Sequence, residues 1–276
     1  MLTSLQFVKK EQKSKTALIT GAASGLGFEL ALLLAKDDHD LIMVDVDAEK
    51  LAKAKEEILK NKSCKIQLIN KDLSTCNVAR EIFEAVEGRS IDVLINNAGF
   101  GVFGSFNDTD WKREAEMLNL HVITTTHLTK LVLKGMVARG HGRILNMSSL
   151  AAFQPGPLMS LYYASKAYIL SFSEAIANEL KGTGVTVTVL CPGQTKTCFQ
   201  EVVSNGVGKT SSENKINFNV ACPKAVAKYG YEAMQKGKIV AIPGNINKLL
   251  SKLPRFVSRR TATAVIRRIQ EKNRDA

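Results

Sequence analysis

Residues 16–36 read TALITGAASGLGFELALLLAK: a short apolar run, the turn Thr20-Gly21-Ala22-Ala23-Ser24-Gly25-Leu26-Gly27, and a long apolar helical run. The order is strand, glycine-rich turn, helix. Glycines let the backbone turn tightly and come close to a ligand, and the N-terminus of the following helix offers free N–H groups and a partial positive charge to an anion. That combination is how a βαβ unit holds a pyrophosphate. The spacing here is T-G-x-x-x-G-x-G rather than G-x-G-x-x-G, and by itself such a turn is explained as well by an ordinary cap.

Working outward, apolar runs of strand length recur at residues 16–20, 40–45, 65–70, 92–96, 142–147, 185–190 and 238–242. Helices are expected between them over residues 25–36, 48–60, 78–87, 111–138 and 160–181. Strands alternating with helices predict an α/β fold with a parallel sheet. The nearly unbroken hydrophobicity of the LIMV and VLI segments suits strands covered on both faces. The expected architecture is a Rossmann-type, doubly wound sheet of about seven parallel strands with helices on both faces, forming one nucleotide-binding domain over residues 1–246. Residues 247–276 read as a basic, amphipathic C-terminal extension of it, with Leu249, Leu250, Leu253, Phe256 and Val257 forming a stripe expected to dock on its own domain or on another copy. Residues 199–219, polar and Gly/Ser-rich, read as a lid loop.

The second strand ends at Asp45, eighteen residues beyond Gly27, where a carboxylate can accept hydrogen bonds from the adenosine ribose and would repel a 2′-phosphate. With Val46 beside it and Ser24 within the turn instead of a cation, the cofactor reading is NAD in preference to NADP. Asp47, ahead of AEKLAKA, is the better helix cap of the two.

Hydrophobic residues make up 45% of the chain and charged residues 23%, which excludes disordered and fibrous classes. The net charge is +12, and the stretch from Lys248 to Asp275 supplies +7 of it through nine Lys/Arg against two acids. With no nucleic-acid recognition motif, this basic segment points to a solvated face, or else to an anionic surface, an acidic carrier or a phosphorylated substrate, with peripheral membrane contact through the tail among these readings. Five cysteines without C-x-x-C spacing indicate neither a disulfide framework nor a zinc site, and the apolar residues of MLTSLQFVKKEQKSK precede its lysines, the wrong order for a secretory signal. A cytoplasmic setting is expected. The four histidines, His39, His121, His127 and His141, show no ligand spacing, so no metal is expected and packing or surface duty is assigned to each, with His121 notable only for lying near Asn119.

Further motifs follow in order: Asn96-Asn97-Ala98-Gly99 after the fourth strand, Ser149 after the fifth, Tyr162-x-x-x-Lys166 on a helix, and Pro192-Gly193 with Thr197 after the sixth. Together with the glycine turn, and over roughly residues 15–242, the chain resembles the short-chain dehydrogenase/reductase family. Tyr162 and Lys166, four apart, share one helix face. A free tyrosine has a pKa of about 10, so Lys166 and a positively charged nicotinamide would have to lower it for base catalysis near neutrality.

The resemblance implies that Tyr162 is the acid/base, that Ser149 hydrogen-bonds the reacting oxygen with Ser148 as its structural rival, that Lys166 holds the nicotinamide ribose, and that Asn119, through a backbone distortion and its side chain, leads a water-mediated proton path to Lys166. It also implies cofactor contacts from Gly21, Ser24, Gly25, Leu26, Gly27, Asp45, Asp72, Leu73, Asn97, Ala98, Gly99, Pro192, Gly193, Thr195 and Thr197, besides Tyr162 and Lys166 themselves. The expected function is NAD-dependent hydride transfer to or from an alcohol or ketone. Ala151, Phe153, Pro155, Leu158, Met159 and Tyr163 point to an apolar substrate of lipid, sterol or acyl origin. The expected assembly is a homodimer or homotetramer, paired through the helices of residues 111–138 and 160–181. Competing readings are an extended relative acting on nucleotide sugars, which the turn spacing disfavours, and a non-enzymatic NAD-bound regulator or membrane-surface scaffold.

Overall fold

The computed structural model describes residues 14–196 and 220–272. Seven parallel strands, β1 (Thr16–Thr20), β2 (Asp40–Asp45), β3 (Ile66–Asn70), β4 (Val93–Asn96), β5 (Gly142–Met147), β6 (Val185–Leu190) and β7 (Val240–Ala241), form one sheet in the order β3-β2-β1-β4-β5-β6-β7. The expected strands are all present; the edge strand β7 is the one trimmed most.

Successive residues of β1 point to opposite faces, and both faces are buried. Ile19 joins Leu30, Leu34, Met43 and Ile95 on the side covered by α1 (Gly25–Lys36), α2 (Ala48–Leu59) and α7 (Pro223–Gln235). Leu18 joins Ile42, Ile82, Leu94 and Ile144 on the side covered by α3 (Val78–Glu84), α4 (Trp111–Leu118), α5 (Thr125–Arg139) and α6 (Ser160–Glu179). A strand enclosed on both sides needs unbroken rather than alternating hydrophobicity, which is what LIMV supplies. Each such buried side chain stabilises by about 1.5–3 kcal/mol.

Strand order reverses between β1 and β4, so the loops after these two strands part and open a crevice at the carboxyl ends of the sheet. In-register pairing brings the ends of β1, β2 and β4 to that edge: Thr20 lies opposite Val44, one residue before Asp45, and Asn96 lies opposite Asn146 of β5.

The expected helix at residues 111–138 is not continuous. α4 ends at Leu118, a π-helical segment spans Asn119–Thr124, and α5 begins at Thr125. The β-branched run Val122-Ile123-Thr124-Thr125 weakens the α-helix locally, and the Thr125 hydroxyl donates to the Leu120 carbonyl, five residues back, at 3.1 Å. The helix α7 was not expected from the sequence, although Pro223 at its first turn and Val226, Ala227, Tyr231 and Met234 at helical spacing mark it. The C-terminal segment forms α8 (Asn245–Lys252), a 3-10 turn (Leu253–Arg255) and α9 (Arg259–Lys272). Its apolar stripe faces solvent instead of docking on the domain. The lid assigned to residues 199–219 lies outside the described residues.

Candidate active site

The glycine turn is built for close approach. Gly21 and Gly25 adopt φ of +65° and +56°, a region that favours glycine. A Cβ on Gly27 would lie 1.9 Å from the Gly21 carbonyl oxygen, so only glycine lets α1 start here. Ser24 stands at the N-cap but makes no side-chain cap hydrogen bond, which leaves the first-turn N–H groups of Gly25, Leu26 and Gly27 for an external anion. A cradle of this kind fits a dinucleotide pyrophosphate.

Asp45 closes the turn from the side. One carboxylate oxygen accepts from the Ala23 N–H at 2.9 Å and the other from the Asp47 N–H at 3.1 Å. Asp47 caps α2 through the Lys50 N–H at 2.9 Å, as expected, which frees Asp45 from capping. Thr20 laces the next loop to β1: its hydroxyl oxygen accepts from the N–H groups of Asn97 (3.0 Å) and Ala98 (3.2 Å). The Asn97 side chain is spent on the turn itself, donating to the carbonyls of Thr20 (3.1 Å) and Gly21 (3.0 Å). Asp72 is exposed and folds its own loop by accepting from Ser74, while Leu73 is buried and accepts from the Thr124 hydroxyl through its carbonyl at 2.9 Å.

Ser149, Tyr162 and Lys166 come together across β5 and α6. Ser149 ends the β5 loop, where its hydroxyl accepts from the Ala151 N–H at 3.1 Å and shares a hydrogen bond with the Tyr162 hydroxyl. Ser148 turns the other way and donates to the Lys166 carbonyl at 2.8 Å, a purely structural bond. Lys166 is only 3% exposed, and its ammonium donates to the Met147 carbonyl at 3.2 Å and lies 5.6 Å from the Tyr162 ring centre. Burial lowers the Lys166 pKa to about 7. Burial pushes the Tyr162 phenol above its usual value, and the Ser149 hydrogen bond offsets only part of this. Without the nicotinamide's positive charge, desolvation thus favours the protonated phenol.

Asn119 opens the π-helical segment and lines a surface cleft with Thr75, Asn77, Val78 and His127. The same π-helical turn brings His121 inward. His121 is fully buried, and a Cβ on Gly99 would meet its Nε2 at 2.6 Å and the Lys166 Nζ at 3.4 Å. The Ser165 hydroxyl donates to the Tyr162 carbonyl at 2.8 Å, so the 2.9 Å contact between Ser165 Oγ and His121 Nδ1 needs its proton from the imidazole. That fixes the tautomer with a bare Nε2, which has no hydrogen-bond partner among the described residues. Burial first, then the Lys166 charge, hold the His121 pKa well below the usual value, so the ring stays neutral. Sequence reasoning gave this histidine a packing role; its only signal was proximity to Asn119.

Beyond β6, Pro192 accepts through its carbonyl from the Leu150 N–H at 2.9 Å, and Thr195 donates to the Gly193 carbonyl at 3.2 Å. These bonds bring the loop alongside Ser149. Thr197 lies outside the described residues.

A crevice at a strand-order reversal, an anion cradle and a Ser–Tyr–Lys set with Tyr162 and Lys166 buried define the class of Rossmann-fold, dinucleotide-dependent oxidoreductases. Comparison with known proteins places the chain within that class. The sequence model of the short chain dehydrogenase family matches residues 15–208, and the chain belongs to this family. It is 33% identical over 199 residues to 17-beta-hydroxysteroid dehydrogenase type 3 of Mus musculus, a match covering 71% of this chain but only 65% of that enzyme's length. It is 31% identical over 257 residues to ketoacyl reductase HetN of a Nostoc species, covering 92% of this chain and 87% of the relative. Among solved structures, a 7beta-hydroxysteroid dehydrogenase superposes with a TM-score of 0.81 at 27% identity, covering 92% of this chain and 96% of the other.

Proposed function

We propose that this chain is an NAD-dependent oxidoreductase that moves a hydride between the cofactor and an apolar alcohol or ketone of lipid, sterol or acyl origin, with Tyr162 as the acid/base. The observation that carries this reading is the hydrogen bond between Ser149 and the buried Tyr162, with Lys166 on the next turn of the same helix. In reduction, Tyr162 donates its proton to the carbonyl oxygen while Ser149 donates a hydrogen bond to it and stabilises the charge that develops there. The nicotinamide supplies the hydride and, when oxidised, a positive charge. Lys166 carries its own charge next to the phenol, and the neutral His121 Nε2 faces the same Gly99 corner as that ammonium.

NAD is preferred to NADP because the Asp45 carboxylate stands against the turn and the neighbouring Val46 is exposed with no cation in its place. An apolar substrate is favoured by the segment between Ser149 and Tyr162, where Ala151 is buried and Phe153, Leu158 and Met159 are half-buried. The names of the relatives, steroid dehydrogenases and a ketoacyl reductase, point the same way. Four unbridged cysteines among the described residues suit a cytoplasmic setting. The intact Ser149, Tyr162 and Lys166 leave a non-enzymatic scaffold without support.

Fluorescence titration with NADH and NADPH tests the cofactor pocket. Tighter NADH binding that Asp45→Ala weakens is expected, and a preference for NADPH overturns the reading of Asp45. Tyr162→Phe is expected to lower kcat/KM on an apolar ketone by about 10²–10⁴-fold, the usual weight of a general acid. Turnover confined to sugars would overturn the substrate reading.

A further inference from the structure

Helix α8 is inverted with respect to its domain. Its buried face is polar: Asn247, whose amide donates to the Pro243 carbonyl at 2.7 Å and abuts Gly193, and Ser251. Its exposed face carries Ile246, Leu249, Leu250 and Leu253 at spacings of three and four residues, and the 3-10 turn continues the ridge into Phe256 and Val257. Leu249 is 60% exposed and Phe256 82%. An apolar helical ridge normally pays for its helix by burial, and a contiguous exposed patch of this kind marks a surface made for a partner.

The charges around the ridge choose the partner. From Asn245 to Lys272 there are eight Lys/Arg and a single acid, Glu271, which is paired with Arg267 at 2.6 Å. Lys248, Lys252, Arg255, Arg259 and Arg260 flank the apolar residues directly in sequence and are exposed. A second copy of the chain meeting this face through a twofold axis would bring the same cations against themselves, and like charges across an isologous contact oppose association. An anionic lipid surface answers both features, taking the apolar ridge at the headgroup boundary and the cations at its phosphates.

We propose that the outward ridge of α8 and the following turn, with its flanking cations, docks this protein on an anionic lipid bilayer. The same segment abuts the active site. α8 packs on the 3-10 turn that follows Ser149, and Gln270 of α9 donates to the Tyr163 hydroxyl at 2.9 Å, next to Tyr162. Docking therefore sets the substrate crevice beside the membrane, so that an apolar ketone enters from the lipid. The docking stands on the surface alone; the delivery of substrate rests on the apolar-ketone reading above.

The test is co-sedimentation of the full chain with vesicles of phosphatidylcholine alone and of phosphatidylcholine with phosphatidylserine. Binding to the anionic vesicles only, released by high salt, is expected. Lys252→Glu with Arg255→Glu should weaken the partition by roughly tenfold or more, at about one kcal-scale increment per cation, and Leu249→Ser with Phe256→Ser should abolish it. All four side chains are exposed, so unchanged melting and unchanged turnover of a water-soluble ketone are expected of both variants. Failure to bind anionic vesicles, or equal binding to uncharged ones, overturns the proposal. A fall in oligomeric state in Leu249→Ser with Phe256→Ser, without vesicle binding by wild type, assigns the ridge to a second copy. Docking with no turnover of any ketone would sink the enzymatic reading while leaving the surface in place.

Discussion

At the residue scale, the site sets two buried bases against their solvent. Lys166 is pressed by burial from the ordinary lysine value to about 7, so in the cofactor-free protein the unfolded chain holds a proton that the folded one has released between pH 7 and the ordinary lysine range. Stability contributed through this group therefore rises with pH across that window. Lys166→Met is expected to melt higher than wild type at pH 7, with the gap closing as pH climbs, while losing activity; scanning calorimetry across pH checks it. His121 faces two titratable groups, Tyr162 with ring centres 6.0 Å apart and Lys166 at the Gly99 corner. Replacing it by leucine puts hydrocarbon in place of a polar ring at that corner and solvates the lysine ammonium less, so Lys166 gives up its proton at lower pH and the alkaline loss of kcat moves down the pH scale. A changed melting temperature with an unmoved pH profile would assign His121 to packing.

At the element scale, α1 and the π-helical turn matter most. Gly27 seats the start of α1 against the backbone of Gly21, and backbone cannot swing aside as a flexible side chain does. Gly27→Ala is expected to cost about 1–3 kcal/mol of stability by overpacking and to weaken NADH binding, read by urea denaturation and fluorescence titration. The π-helical turn does for the crevice what a regular helix could not, because its extra residue per turn changes which side chain points inward. π-helical insertions recur at functional sites for this reason.

At the scale of the whole molecule, two exposed apolar faces stand out among the described residues. The ridge of α8, proposed above to meet lipid, is one. The other is the outer face of the π-helical turn, α5 and α6, where Ile123, Val137 and Tyr168 are exposed and Tyr168 stacks on Phe172 at 5.8 Å. This face lacks the one-sided charge of the ridge and suits pairing of two copies. Sedimentation equilibrium is expected to find a dimer or tetramer that Tyr168→Glu shifts to smaller species; a monomeric wild type would remove this assignment.

The sequence by itself determined the sheet, the glycine cradle and the spacing of Tyr162 and Lys166. Each depends on short-range chemistry: hydrophobic runs of strand length, glycine where a Cβ finds no room, and two side chains four apart on one helix face. It also distinguished Asp47 as a cap from Asp45. Tertiary structure alone decided what depends on which face an element buries and what solvent it loses. Burial pushed the Tyr162 phenol above its usual value, because desolvation acts through neighbours distant in sequence. The π-helical turn set His121 inward at the Gly99 corner, a rotation that residue identity does not encode. The stripe of α8 could have faced either way on periodicity alone, and Asn247 and Ser251, by taking the buried positions beside the active-site loops, turned it out to solvent.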